Sequence, residues 1–247
     1  MLQKINSSNF IGEGPIKILY PGSAISKSDT GIGSIGRIDH AIFRGSTVIP
    51  MHPHVNDEIL SYFRSGKTEH TDSEGFVEYI GSNKLMLMKA GKSFYHEEKI
   101  MDIGEPLEGL QIFIRPGEKD LKPEVTFMDL DQVHSENNWR LLASPTMETT
   151  FQFSSQTWLF DMKLKANTSS VLPELPKSNL TYLLYVFKGN VKVNGNINLA
   201  KKESLLIKEE VITIETDNEA ELVLFVTDEE AAIFYDGMYS GNKNRFM

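Results

Sequence analysis

The chain has 247 residues, of which 40% are hydrophobic and 24% charged, and its formal net charge is −9. These values are typical of a globular protein with a sizeable core, built as one large β-domain or as two domains of ordinary size. The acidic balance argues against direct nucleic-acid binding, because phosphate binding needs clustered Lys and Arg. The sequence has no cysteine, which excludes disulfides, thiolate metal ligands and a cysteine nucleophile.

No part of the sequence predicts export or a membrane span. The first residues, MLQKINSSNFIGEGPIK, lack the apolar core of a signal peptide, and no stretch approaches about 18 apolar residues. The cysteine-free composition fits a reducing compartment. We therefore predict a cytoplasmic protein without membrane contact.

Short apolar runs separated by Gly, Asn, Asp and Pro dominate the pattern, and helical periodicity is rare. In chain order, the first half is predicted to form strands at 43–50, 58–63, 76–80, 85–88 and 107–114. Asp72-Ser73-Glu74-Gly75 is a turn signal before the third of these. Strands of this length at nearly regular spacing predict a sandwich or barrel.

The charged segment Arg115–Pro123 (RPGEKDLKP) is the best candidate for a linker, because it contains two prolines. The second half repeats the β-rich plan, and Asn194-Gly195 is its strongest hairpin signal. Its predicted strands lie at 181–187, 191–193, 204–207, 211–214 and 221–226. We predict a duplicated all-β module, with domains at 1–120 and 121–247, and all six histidines precede residue 135.

The segment Met51–Glu58 (MHPHVNDE) holds two of the six histidines. Alternate side chains of a strand share a face, so His52, His54 and Glu58 can all point into one barrel. Pro53 cannot donate a ladder hydrogen bond, which favours a strand end or bulge.

About forty residues later, Phe94-Tyr95-His96-Glu97-Glu98 places His96 and Glu98 on one face in the same way. Imidazole and carboxylate donors from the two segments can converge on one divalent cation, such as Fe(II), with Zn, Mn, Ni or Cu as alternatives. Each motif alone has a simpler explanation, because HxH occurs by chance and Glu97-Glu98 can be a solvated charge run.

Three segments together resemble the pirin family of bicupins: HPHVNDEILSYFRSGKTEHTDSEG, LMLMKAGKSFYHEE and LEGLQIFIRPGEKD. The resemblance extends over about residues 35–130, whereas the second half resembles the family in its strand pattern and in GNVKVNG. It implies two cupin (jelly-roll) β-barrels in tandem with few short helices and with a metal in the N-terminal barrel only.

The resemblance also implies the ligands His52, His54, His96 and Glu98. The general cupin pattern offers Glu58 as the carboxylate instead, and we favour Glu98, with Glu58 as a neighbour of the site. Two departures from the family pattern, Val55 where many members have Arg and Lys92-Ser93 after Gly91, alter the pocket mouth and bear on the substrate.

Other candidates are less specific. His70 is expected to be an exposed or hydrogen-bonded hairpin residue, and Gln111 either faces the site or is a hydrogen-bonded barrel residue. Met86 and Met88 are expected in the core, and His134 at the surface. His40 lies near the pocket or in a loop.

The resemblance implies two functions of different kinds. Some pirins open flavonols such as quercetin with dioxygen, which here would make Glu98 or Glu58 the proton acceptor and a flavonol or other small aromatic compound the substrate. Other pirins are metal- or redox-responsive proteins that bind a transcription or metabolic partner. A third possibility is a small-molecule-binding or structural barrel with an adventitious metal.

Overall fold

The computed structural model describes residues 1–146 and 148–241. Almost all of their regular structure is β, and the helices in this part of the chain are two short 3-10 helices, Ser7–Asn9 and Pro21–Ala24. The all-β prediction with few short helices is therefore confirmed.

The described residues form 21 strands. In chain order these are β1 Leu2–Ile5, β2 Ile16–Leu19, β3 Ile35–Phe43, β4 Thr47–His54, β5 Glu58–Ser65, β6 Lys67–Asp72, β7 Val77–Gly81, β8 Lys84–Lys89, β9 Phe94–Met101, β10 Leu107–Ile114, β11 Glu124–Asp129, β12 Arg140–Ser144, β13 Phe151–Gln152, β14 Thr157–Leu164, β15 Thr168–Val171, β16 Thr181–Lys188, β17 Asn190–Val193, β18 Ile197–Ala200, β19 Ser204–Lys208, β20 Thr213–Thr216 and β21 Ala220–Thr227.

The chain divides into two compact units. The N-unit contains Phe10–Val133 and the chain from Ala231, and the C-unit contains Met1–Asn9 and His134–Glu230. The N-unit extends beyond residue 120 because β11 pairs with β8, which keeps 124–129 in its sheet. The limits of these compact units differ from the predicted domains, 1–120 and 121–247. The predicted domain boundary at residue 120 stays a prediction.

The N-unit has one curled sheet in the order β2-β3-β10-β5-β8-β7-β6-β9-β4, with β11 on β8. Strands β10 and β9 are five positions apart in this order, which is roughly 24 Å in a flat sheet. Nevertheless, Gln111 of β10 donates a hydrogen bond of 3.0 Å to Glu98 of β9. The sheet must therefore curl until its ends face each other, as in a jelly-roll barrel.

The C-unit has two sheets, in the orders β1-β19-β16-β21-β14-β12-β13 and β15-β20-β17-β18. All eight residues of β21 are buried, as expected for a central strand covered on both faces. The predicted Asn194-Gly195 turn is confirmed, since both residues have positive φ (49° and 69°) between β17 and β18.

Most predicted strands correspond to observed ones, but the run 43–50 was wrong as a single strand. β3 ends at Phe43 and β4 begins at Thr47, with Gly45 in the left-handed region at φ 74° between them. The segment Arg115–Pro123, predicted as a linker, has no regular secondary structure and lies inside the N-unit, where its first residue, Arg115, is completely buried.

Candidate metal centre

Two neighbouring strands of the N-unit hold the predicted ligands. β4 pairs with β9 in antiparallel register, so that His52 lies opposite His96 and His54 lies opposite Phe94. Burial alternates along β9, where His96 and Glu98 are buried and Tyr95 is exposed. The ladder therefore brings the histidines of two sequence motifs to one place.

The three imidazoles converge through their Nε2 atoms. His96 Nε2 lies 2.9 Å from His52 Nε2 and 3.0 Å from His54 Nε2. One ligand atom from each ring lies within 4.8 Å of the others. His54 and His96 are buried, and His52 is half-buried, so it is the member nearest to solvent.

Hydrogen bonding between the rings does not account for this arrangement. A neutral imidazole nitrogen offers one hydrogen or one lone pair, so the two contacts of His96 Nε2 cannot both be full hydrogen bonds. His52 Nδ1 lies 2.9 Å from Pro50 O. Because a carbonyl only accepts, this Nδ1 carries the hydrogen and leaves a lone pair on His52 Nε2. A bound cation would accept all three lone pairs at once, so the residues fit a metal ion.

The spacing of the nitrogens suits ligands of one metal ion. The separations of 2.9 and 3.0 Å at His96 are in the range expected for neighbouring nitrogens on an ion with bonds of about 2.1 Å. Three imidazoles would hold such an ion and would leave it open positions for small molecules.

Burial favours the uncharged form of two of the three rings. Burial lowers the pKa of His96, and the neighbouring His54, His52 and His70 lower it further. The pKa of His52 is also lowered, mainly by burial, although the bond to Pro50 O opposes this change. Neutral imidazoles are the form that binds metal ions, so these shifts favour metal binding by His52 and His96.

The ring of His54 packs against Tyr239 and lies near Asp57, an acidic residue that the sequence analysis does not identify. Its ring centroid lies 5.0 Å from that of Tyr239. Its Nδ1 is buried without a hydrogen-bond partner and lies 3.9 Å from Asp57 Oδ2. Asp57 in turn accepts bonds from Tyr239 N and from the N and Oγ of Ser240. The partners are 182 and 183 residues away in sequence, so no local signal pointed to Asp57.

Glu98 points inward but is held by another residue. Among the described residues, the group of ligand atoms within 4.8 Å consists of the three histidines and does not include Glu98. Gln111 Nε2 donates to both carboxylate oxygens of Glu98, at 3.0 and 2.9 Å. Burial raises the pKa of Glu98 to about 7, and the Gln111 bond opposes the rise. Its role as fourth ligand stays a prediction.

Glu58, the alternative carboxylate, lies at the start of β5 and is almost completely buried. It is opposite Lys89 of β8 and Ile114 of β10 in the ladder. It is also outside the group of ligand atoms found among residues 1–146 and 148–241. Its proposed role beside the site stays a prediction.

A small cavity adjoins Glu98 inside the barrel. Its volume of about 20 Å³ suits a single water and not an aromatic ring system. Its lining is mostly apolar, with Asp39, Thr68, Glu98 and Gln111 as the polar members. Thr68 Oγ1 is buried without a hydrogen-bond partner.

The lower-ranked residues have defined places. His70 is completely buried and bonds to Asp72, so the hydrogen-bonded alternative is confirmed and the exposed one is wrong. His40 is also buried, with Nε2 2.8 Å from Glu108 Oε1. Gln111 bonds to Glu98 as described, and Met86 and Met88 lie in the core. The HxD spacing of His70 and Asp72 was a signal for a shared inward face that the sequence analysis left unused.

Comparison with known proteins places this geometry in a family. Residues 21–114 match the family model described as Pirin. The matched residues include His52, His54 and His96. It is 27% identical over 197 residues to a protein of Escherichia coli strain K12 named quercetin 2,3-dioxygenase, covering 79% of this chain and 83% of that protein.

Solved structures give the same fold. YhhW from Escherichia coli superposes with a TM-score of 0.78 at 24% identity, covering 92% of this chain and 98% of that one. The bacterial pirin YhhW in complex with nickel(II), also from Escherichia coli, gives a TM-score of 0.77 at 22% identity, covering 92% and 99%. The predicted tandem cupin fold is thereby confirmed, and the histidine triad supports a site for a single metal ion.

No helix within residues 1–146 and 148–241 is long and apolar enough to cross a membrane. The cytoplasmic location stays a prediction.

Proposed function

We propose that this pirin-family chain is a metal-dependent dioxygenase that opens flavonol-type substrates such as quercetin. The observation that carries the proposal is the convergence of three imidazole Nε2 atoms in the N-unit, with His96 Nε2 2.9 Å from His52 Nε2 and 3.0 Å from His54 Nε2. The relative named quercetin 2,3-dioxygenase supports the reaction class.

We propose His52, His54 and His96 as the nitrogen ligands, with Glu98 completing the set when its side chain turns away from Gln111. Three nitrogens with a carboxylate favour Fe(II), and Ni, Mn, Zn or Cu are alternatives. A nickel(II) complex has been solved for a bacterial pirin, which makes nickel the first alternative to test. When bound, such an ion supplies Lewis-acid binding of the substrate's ketone and hydroxyl oxygens.

Glu98 is the proposed proton acceptor for the flavonol hydroxyl group. A general base works best when its pKa lies near the working pH, and burial raises the pKa of Glu98 to about 7. Gln111 donates to both oxygens and so stabilises the ionised form. Glu58 is the alternative acceptor. Dioxygen then adds to the deprotonated ring, the ring opens, and carbon monoxide leaves.

The test is the loss of quercetin absorbance with consumption of dioxygen by protein loaded with Fe(II) or Ni(II). We expect His52→Ala to abolish turnover, with His134→Ala as control because His134 lies in the C-unit. We expect Glu98→Gln to lower kcat about 100-fold with metal still bound. Glu97→Gln is its control, since Glu97 precedes Glu98 on the other face of β9. Turnover that survives His52→Ala would refute the proposal.

The second candidate is a metal-responsive protein that binds a partner without catalysis. It is favoured by the small inner cavity, which does not admit a flavonol, and by exposed apolar side chains on the ligand strands. Val48 and Met51 of β4 are 53% and 50% exposed, and Tyr95 of β9 is 46% exposed. Tight, stoichiometric metal binding without quercetin turnover would favour this candidate. Quercetin turnover that depends on the bound metal would favour the enzyme.

A further inference from the structure

Another buried histidine, His70, lies behind His96 on the side away from the triad. His70 belongs to the inward face of β6 and is completely buried. Its Nδ1 lies 3.3 Å from His96 Nδ1, and its Nε2 lies 2.7 Å from Asp72 Oδ2. The three side chains form a continuous row of hydrogen bonds that leads from the triad to the end of β6.

Asp72 is a fixed acceptor at the end of this row. Its Oδ1 accepts hydrogen bonds from the backbone N–H groups of Glu74 and Phe76, at 2.9 and 3.1 Å. These donors belong to the turn between β6 and β7, so the carboxylate cannot rotate without breaking the turn. Oδ2 therefore always faces His70 Nε2. An ionised carboxylate only accepts, so His70 Nε2 must carry a hydrogen.

The positions of the remaining hydrogens follow in order. His70 is completely buried, which disfavours a charged ring, so we take it as neutral. A neutral His70 with its hydrogen on Nε2 has a lone pair on Nδ1. The contact with His96 is a hydrogen bond only if His96 Nδ1 carries the hydrogen. His96 Nε2 is then left with a lone pair that faces the triad.

We propose that His70 and Asp72 are positioning residues that fix the tautomer of His96 and aim its Nε2 lone pair into the metal site. The proposal rests on the proposed metal site and adds a requirement for two residues outside the ligand motifs. His70 is not itself a further ligand, because its bond is to His96 Nδ1, on the opposite edge of the ring from Nε2.

The other two triad rings are held by different means. His52 Nδ1 uses the backbone carbonyl of Pro50, and His54 Nδ1 lies 3.9 Å from Asp57 Oδ2. The tautomer of His96 can therefore be changed through His70 and Asp72 while all three histidine ligands stay in place. Outer partners of this type contribute about 10- to 100-fold to metal affinity.

Asp72→Asn is the decisive variant, because the turn dictates how the amide is oriented. The N–H groups of Glu74 and Phe76 hold the amide oxygen, so the NH₂ group must face His70 Nε2. His70 Nε2 then becomes an acceptor, its hydrogen moves to Nδ1, and the hydrogen of His96 moves to Nε2. We expect this inversion to lower the affinity for Ni(II) about 10- to 100-fold.

The first measurement is a long-range ¹H–¹⁵N spectrum of histidine rings in metal-free protein, above the ordinary histidine pKa of about 6.5. We expect the hydrogen of His96 on Nδ1 in the wild type and on Nε2 in Asp72→Asn. If the wild-type protein carries the hydrogen of His96 on Nε2, the proposed role of His70 and Asp72 is overturned, whether or not Asp72→Asn folds. The spectrum needs no metal, so it tests the positioning role of His70 and Asp72 separately from the proposed function.

The second measurement is Ni(II) affinity by calorimetric titration. His70→Gln should keep near wild-type affinity, because its amide can donate to Asp72 and accept from His96, whereas His70→Leu should lose about as much as Asp72→Asn. Glu108→Gln, beside the buried His40, is the matched control and should change nothing. Wild-type affinity in both Asp72→Asn and His70→Leu would overturn the proposal.

Discussion

His52 and His96 lie opposite each other on β4 and β9, with their Nε2 atoms 2.9 Å apart. A cation between these two nitrogens would bind a lone pair from each ring. We therefore predict that one equivalent of Ni(II) or Fe(II) raises the free energy of unfolding, by about 2.7 kcal/mol at a free concentration 100 times the Kd. Calorimetric melting should show this rise in the wild type and in His134→Ala. Equal rises in wild type and His96→Ala would contradict the assignment.

Glu98 should make stability depend on pH in a defined window. Its pKa is raised from an ordinary value of about 4.5 to about 7, so the folded state holds a proton that the unfolded state releases. The stabilisation is fully present below about pH 4.5 and is lost as the pH rises through about 7, a change of up to about 3 kcal/mol in metal-free protein.

The variant Glu98→Gln isolates this effect, because it mimics the protonated form and leaves the histidines unchanged. Chemical denaturation at several pH values should show the wild type losing stability relative to Glu98→Gln as the pH rises across that window. If the difference in free energy of unfolding between the two proteins stays constant across this pH window, Glu98 does not titrate there.

The histidine cluster should have the opposite pH dependence. The pKa values of His52, His70 and His96 are lowered from 6.5, so unfolded chains bind protons that the folded protein does not. Stability should therefore fall as the pH drops below about 6.5. His96→Phe should reduce this acid sensitivity in urea titrations of metal-free protein, and unchanged acid sensitivity would contradict the prediction.

Asp57 should anchor the segment that follows Ala231 to the metal centre. Its carboxylate accepts bonds from Tyr239 and Ser240, and the Tyr239 ring packs against His54. We expect Asp57→Asn to lower the free energy of unfolding by about 2 kcal/mol and to expose this segment to proteolysis. The control Asp102→Asn changes an exposed loop residue, and its free energy of unfolding should stay within about 0.5 kcal/mol of the wild-type value. Equal proteolysis of both variants would count against the anchor.

Arg115 should be required for folding stability. Its guanidinium pairs with both oxygens of Asp29, at 2.6 and 3.1 Å, and donates to the carbonyls of Gly33 and Ser240. Lys cannot reproduce this planar set of donors, so Arg115→Lys should lower the free energy of unfolding by about 3 kcal/mol. Arg44→Lys, at an exposed residue, is the control for denaturant unfolding. A similar small loss in both would contradict the prediction.

Local periodicity explains which parts of the site were predictable. The alternation of a strand places His52 with His54 and His96 with Glu98, and these pairs can be read from spacing alone. Their meeting depends on the pairing of β4 with β9, for which the pirin resemblance, and not the periodicity, was the guide. The HPH and HxE segments can therefore be identified from the sequence, whereas the ladder between them cannot.

The remaining parts depend on contacts that spacing does not encode. Gln111 reaches Glu98 only because the sheet curls, and Asp57 reaches Ser240 across 183 residues. His70 was undervalued because EHTDSEG resembles an exposed hairpin, although the β6–β9 ladder buries it beside His96.

The most direct test of the metal site is an anomalous difference map from crystals of the chain loaded with Fe(II), recorded just above the iron absorption edge. We predict one peak per chain, about 2.1 Å from the Nε2 atoms of His52, His54 and His96. A map with no peak among these three nitrogens, or with its main peak elsewhere, would contradict the account.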